Sequence, residues 1–242
     1  AALKTLCAWW TGPRPNSTGT ISSHFKRLKD PMPDISSTEI RSRLSLGGDA
    51  SSLLSKPVLS YIQKRKLYGL NLLSALKKSL NPGRYDHTLA VAGLVERLAR
   101  RWRLDEGKAR LAGLLHDCGR AINVPDMPRY VLKYDIKAPG RAGIIAHNPL
   151  LLHAYIGEHI ARRRFKVTDR EVLSAIASHT LGRRGMTDFD RLLYVADAAS
   201  PDRSHPEAVK ARALAFKNLD SAFALCALTK MKQIEACGGW RH

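Results

Sequence analysis

Three features of the sequence predict an all-α fold. Apolar residues recur at helical spacing through most of residues 85–236, as in Leu89, Val91, Leu94, Val95, Leu98 and Trp102. Cap-forming residues and prolines precede those runs. No alternating strand pattern survives anywhere along the chain. With 242 residues, 44% of them hydrophobic, the chain can bury one good-sized core, or a domain with an appendage. Amphipathic helices of this kind bury their apolar stripes by ridge packing into a bundle.

The elements follow in order. Residues 1–34 read as an irregular segment, because Gly12, Pro13, Pro15, Gly19, Pro31 and Pro33 interrupt every candidate element. Trp9-Trp10 would normally want a core, so this piece reads as one that has lost a partner, and the missing initiating Met fits a fragment or a processed start. Residues 35–70 read as a helical pair. Ser36 with Glu39 forms a capping box ahead of Ile40 and Leu44, and Pro57 opens Val58–Lys66 with Val58, Tyr61 and Ile62 on one face. Residues 71–84 read as a connector, with Asn81-Pro82-Gly83 as a turn.

The main domain is expected at 85–236, with a tail at 237–242. His87 to Trp102 is its first helix. Asp105 caps a second that runs to His116-Asp117. Pro125 to Ala138 is broken, with at most one short helix around Tyr130. Asn148-Pro149 opens Leu150 to Arg164, Thr168 with Glu171 opens Val172 to His179, and Thr187 with Asp190 opens a helix through Leu192, Leu193, Val195 and Asp197. The last two helices are Pro206 to Phe216 and Leu219 to about Ala236.

Bulk composition narrows the function classes. No apolar run reaches membrane-spanning length, so no membrane partner is expected. Cys7, Cys118, Cys226 and Cys237 are scattered without a Cys-x-x-Cys pair, which argues against a disulfide framework or zinc ribbon and for a cytoplasmic protein. The formal charge of +19 is spread along the chain, +7 in residues 1–70 and +12 in residues 71–242. It favours an anionic partner, a nucleotide, RNA or acidic lipid, with general solubility charge as the alternative.

Six polar residues stand where apolar ones belong. His87 shares a helical face with Val91 and Leu94. His116 and Asp117 end an apolar helix, His153 follows Leu150-Leu151-Leu152, His179 follows Ala175-Ile176-Ala177, and Asp197 sits inside Tyr194-Val195-Ala196-Asp197-Ala198. Buried unsatisfied, each would cost about 1–3 kcal/mol. A shared metal removes that cost, and mixed imidazole and carboxylate donors suit iron, manganese or cobalt better than magnesium or calcium.

The order His, His-Asp, His, His, Asp resembles that of the HD superfamily of metal-dependent phosphohydrolases. The words are Arg84-Tyr85-Asp86-His87-Thr88, Leu114-Leu115-His116-Asp117, Leu151-Leu152-His153, His179-Thr180-Leu181-Gly182-Arg183-Arg184-Gly185-Met186 and Tyr194-Val195-Ala196-Asp197, with Pro201 and Arg203. Over about residues 80–236 they are similar to the symmetrical bis(5′-nucleosyl)-tetraphosphatases. Residues 121–147 match poorly, and Arg120 stands where that family usually has lysine. Residues 35–69 separately resemble the C-terminal end of bacterial nicotinate-nucleotide adenylyltransferases, in Ile35-Ser36-Ser37-Thr38-Glu39-Ile40-Arg41 and in Tyr61-Ile62 with Leu67-Tyr68. The strand-loop with paired histidines of that family is absent, so its structure carries over and not adenylyl transfer. Some bacteria fuse the two families in this order.

The resemblance implies an HD-domain helical bundle that hydrolyses diadenosine tetraphosphate to two ADP with a divalent transition metal, iron first and manganese or cobalt next. It implies His87, His116, Asp117 and Asp197 as metal ligands, with His116, Asp117 and Asp197 catalytic. His153 and His179 either hold a second ion sharing Asp117 or contact phosphate. Arg120, Arg183 and Arg203 are expected to clamp phosphate, since a guanidinium fork matches its oxygens. Gly182 and Gly185 are expected to let the backbone approach the nucleotide. Two other readings stay open: an HD phosphodiesterase acting on RNA or a signalling nucleotide, and a basic nucleic-acid-binding module with a structural metal. The sequence leaves the oligomeric state open, a dimer included.

Overall fold

The computed structural model describes residues 9–11, 25–27, 35, 37, 40, 44, 50–65 and 71–240. The chain divides into two compact units, residues 1–44 with 48–68, and residues 45–47 with 69–242.

In the first unit, β1 (Trp9–Thr11) and β2 (Phe25–Arg27) pair in parallel, Trp9 opposite Phe25. This corrects the reading of residues 1–34 as wholly irregular. Aromatic and β-branched residues favour extended backbone, and the prolines and glycines fall outside the two strands. Residues 37, 40 and 44 are helical, while Ser36 and Glu39 of the expected capping box lie outside the described residues. Helix α1 (Lys56–Lys64) begins one residue before Pro57, which lies in its first turn, and only Ile62 of the expected apolar face is buried, while Val58 and Tyr61 are exposed.

The second unit is helical among its described residues, in keeping with the all-α expectation: α2 (Asn71–Ser79), α3 (Pro82–Trp102), α4 (Glu106–Leu115), α5 (Met127–Lys133), α6 (Arg141–His147), α7 (His153–Arg163), α8 (Arg170–Ser178), α9 (Asp188–Ala198), α10 (Pro206–Ala215) and α11 (Leu219–Ala236). The stretch expected as a connector is therefore mostly α2. Asn81-Pro82-Gly83 is not a turn but the start of α3: the Asn81 side chain accepts from the Arg84 N–H and Pro82 opens the helix. Asp105 caps α4 as expected. The Thr187 and Asp190 box opening α9 is present in both directions. Asp169, not Thr168, caps α8, accepting from the Glu171 and Val172 N–H groups. Pro149–Leu152 forms a 3₁₀ turn ahead of α7 and not its first helical turn.

Helices α3, α4, α7, α8 and α9 pack around Leu94, Leu98, Leu114, Leu115, Ile156, Ile176, Leu192 and Leu193, all fully buried. Closeness matters at two glycines. A Cβ on Gly113 would lie 2.7 Å from Ala92 Cα, so α3 and α4 touch nearly backbone to backbone there. A Cβ on Gly119, in the 3₁₀ turn Cys118–Ala121, would lie 2.1 Å from the His153 carbonyl oxygen. That contact presses the turn after Asp117 onto the start of α7.

Candidate metal centre

Helix ends converge here. His87 lies in the second turn of α3, His116 and Asp117 directly follow α4, His153 opens α7, His179 follows α8, and Asp197 lies in the last turn of α9. His87, His116, Asp117, His153 and His179 are all buried. Donor atoms of His87, His116 and Asp117 all lie within 4.8 Å of one another, and so do those of Asp117, His153 and His179. Asp117 belongs to both groups. His87 Nε2 stands 3.2 Å from Asp197 Oδ1, which ties Asp197 to the first group.

Three of the rings are aimed in the same way. His116 Nδ1 meets the Gly113 carbonyl at 2.7 Å, His153 Nδ1 the Leu150 carbonyl at 2.6 Å, and His179 Nδ1 the Ile176 carbonyl at 2.7 Å. A carbonyl can only accept, so Nδ1 carries the proton in each ring and a neutral ring turns the Nε2 lone pair inward. His116 Nε2 is buried there with no hydrogen-bond partner. His153 Nε2 and His179 Nε2 face each other at 3.1 Å, with the single Thr180 hydroxyl 3.0 and 2.9 Å away. One hydroxyl proton cannot satisfy two lone pairs. Each donor group fits a divalent cation, which would give the inward Nε2 lone pairs of that group a partner.

The charges agree. Burial opposes ionisation of Asp117, yet the surrounding His116, His179 and His153 hold it well below the usual carboxylate range. Asp197 is held low in the same way, against burial, by His87 and then Lys230. Burial lowers His116 despite the adjoining Asp117, and pushes His153 down to about 3. His87 moves up: burial opposes its charge, but Asp197 and Asp202 outweigh burial.

These shifts set an acid limit for the metal-free chain. The unfolded chain protonates His116 and His153 below about 6.5, whereas burial keeps both neutral to lower pH in the folded chain. The stability linked to them is complete above about 6.5 and is lost as pH falls below it, for His153 down to about 3. Asp117 and Asp197 add a loss in the same direction at still lower pH. His87 has the opposite sign, its contribution being full below about 6.5 and lost as pH rises through its raised value. The melting temperature of metal-free protein should therefore drop between pH 6.5 and pH 4, and a flat profile would contradict neutral rings.

Arginines rim the group. Arg84 Nη1 donates to Asp117 Oδ2 at 2.9 Å, Arg120 Nε reaches Asp117 Oδ1 at 3.4 Å, and Arg203 Nη2 reaches Asp197 Oδ1 at 3.2 Å. Each side chain is partly exposed, though Arg203 Nε is buried without a hydrogen-bond partner. Arg183 is placed differently. Its guanidinium donates to buried Asp190 at 2.6 Å, to Ser174 Oγ, and to the Arg184 and Gly185 carbonyls. That network braces the start of α9, so the structure does not bring Arg183 to the histidines by any of these bonds. Left-handed backbone at Gly182 (φ 71°) and Gly185 (φ 68°) accounts for both glycines by turn geometry. Cys118 is a buried thiol donating to the Gly157 carbonyl at 3.3 Å, pushed up by burial.

Four neighbours escaped the sequence reading. Arg84 and Thr180 lay inside the quoted words but were given no role there. Asp202, partly exposed, holds His87 Nδ1 at 2.8 Å. Lys230 of α11 reaches the Thr180 carbonyl at 3.4 Å and lies 3.9 Å from the Tyr194 ring centroid. It passed for one more lysine in a basic chain. Removal of the partner that aims a metal-binding imidazole typically costs about 10–100-fold in metal affinity. Asp202→Asn should weaken binding by that amount in a chelator competition, and unchanged affinity would take Asp202 out of the support of His87.

Helix ends carrying four histidines and two aspartates, in two donor groups that share Asp117, are those of an HD-type metal-dependent hydrolase. The HD domain family model matches residues 84–202. The symmetrical bis(5′-nucleosyl)-tetraphosphatase of Bacillus subtilis is 35% identical over 150 residues, 62% of this chain and 78% of that protein. A Mycoplasma genitalium protein named a probable nicotinate-nucleotide adenylyltransferase/Ap4A hydrolase is 29% identical over 171 residues. Those residues are 70% of this chain and 46% of that protein, and its name joins the two families resembled here. The crystal structure of a predicted HD superfamily hydrolase involved in NAD metabolism from Clostridium acetobutylicum superposes with a TM-score of 0.67 at 29% identity, over 71% of this chain and 89% of that one. The chain belongs to the HD-domain family of symmetrical bis(5′-nucleosyl)-tetraphosphatases.

Proposed function

We propose that the chain hydrolyses diadenosine tetraphosphate symmetrically, adding one water across the central P–O–P bridge to release two ADP. The membership of Asp117 in two histidine donor groups, each with its donor atoms within 4.8 Å of one another, supports the proposal. His87, His116, Asp117 and Asp197 would hold the principal ion, with iron preferred and manganese or cobalt next by the chemistry of the donors. His153 and His179 would hold a second ion sharing Asp117 or meet phosphate directly. When bound, a divalent ion supplies Lewis acidity towards a phosphoryl oxygen and lowers the pKa of water. Arg120 and Arg203, joined by Arg84, would turn their solvent-side donors to the phosphates while keeping the carboxylates in place. Arg183 and Gly185 would act on the substrate through the shape of the loop they share. Residues 35–70 we read as an adenylyltransferase-like remnant, and the scattered cysteines fit a reducing cytoplasm.

The experiment is a turnover assay on the metal-reconstituted chain with product identification and elemental analysis. ADP as the sole nucleotide product, with roughly one or two transition-metal ions per chain, is the expected result. AMP plus ATP would overturn symmetrical cleavage.

A further inference from the structure

We propose that a groove beside the metal centre holds the base of one half of the dinucleotide, an inference that rests on the substrate reading above. The groove encloses about 730 Å³, within the range of about 300–1,000 Å³ usual for small-molecule sites. Its near wall is Ala121, Ile122 and Asn123. Ala121 directly follows Arg120, whose Nε reaches Asp117. At about 2 Å of rise per residue along the 3₁₀ turn, Ala121 lies at most roughly 8 Å from Asp117. Phosphates and a ribose fit into that interval.

The far wall is α5. Tyr130 and Tyr134 stand one turn apart with ring centroids 4.7 Å from each other. His159 of α7 completes an aromatic group, 6.0 Å from Tyr130 and 5.1 Å from Tyr134. Tyr134 is 46% exposed, so its ring is not spent on the core. Arg129 and Lys133 line the same groove, and the Lys133 ammonium lies 5.3 Å from the Tyr134 centroid. Asp126 is the one acid in the lining, with Arg129 at 3.8 Å. A flat π-surface offers a base its stacking partner, and flexible cations beside it meet the attached phosphates. Both line a groove whose Ala121 lies four residues after Asp117 in the chain. They also lie in residues 121–147, where the family words run out, so no inherited motif assigns them.

The test uses the full chain carrying Tyr130→Ala, Tyr134→Ala or both, with exposed Leu132→Ala as control. Loss of base stacking should raise KM for diadenosine tetraphosphate roughly tenfold to a hundredfold with kcat within about twofold. Phenylalanine at either position should restore it. Metal-dependent cleavage of bis(p-nitrophenyl) phosphate, which has no base, should not change. An unchanged KM in the double variant overturns the groove. Should the wild-type chain fail to cleave diadenosine tetraphosphate, the substrate reading fails by itself. Equilibrium binding of ADP then decides the groove separately: weakened by the tyrosine variants it stands, and unaltered it falls.

Discussion

Asp117→Asn abolishes both metal retention and turnover while the helices remain. The substitution keeps the shape but removes the charge shared by the two histidine groups. Loss of the Lewis acid and of activated water should cost at least about three orders of magnitude in kcat/KM. Elemental analysis should find the protein nearly empty, and circular dichroism should be unchanged. The second point matters because Arg84 and Arg120 lose their anionic partner. They are partly solvated, so water can take up their donors and the fold should survive. Turnover within about tenfold of wild type would remove Asp117 from the centre of the mechanism.

The second large effect is structural. Gly119→Ala would place a methyl group 2.1 Å from the His153 carbonyl oxygen and 2.7 Å from the Gly157 nitrogen. Both obstacles are backbone, so neither a rotamer change nor a flexible tip can give way. The turn after Asp117 must separate from α7, which carries Asp117 away from His153. We expect a loss of about 3 kcal/mol or more in unfolding free energy, beyond the usual 1–3 kcal/mol of overpacking. Gly93→Ala is the matched control. It too is in the bundle, on α3, but nothing lies within 4 Å of its added Cβ. There alanine should be neutral or slightly stabilising, by roughly 0.5–1 kcal/mol. Urea melts of the two variants side by side decide the point. Equal melts would show that close approach at residue 119 does not hold the turn.

The bundle and the six inward polar residues were legible because each interrupted an apolar pattern of known period. His116-Asp117 at the end of Leu114-Leu115 could be seen without neighbours. Caps were legible where the residue and its spacing were unambiguous, as at Asp105 and Thr187. Asp169 beside Thr168 was not, since both residue types cap and only backbone geometry chooses between them. Helix α6 was invisible locally. It starts at left-handed Gly140, and its Gly143 packs beneath Trp240, a contact far along the chain. Arg183 looked like a phosphate clamp because nothing in the sequence announces its bond to Asp190. Asp202 and Lys230 looked like surface charges, and only tertiary packing turns them towards His87 and Thr180.

His87 and Asp197 stand 110 positions apart along the chain, yet only 3.2 Å apart in space. An ion gripped between them acts as a removable staple, closing a loop that spans most of the bundle. Whatever binds the native state and not the unfolded one stabilises it in proportion to the logarithm of its free concentration. With a divalent ion bound there, thermal resistance would rise with the free concentration of that ion, and a chelator would lower the melting temperature as it empties the site.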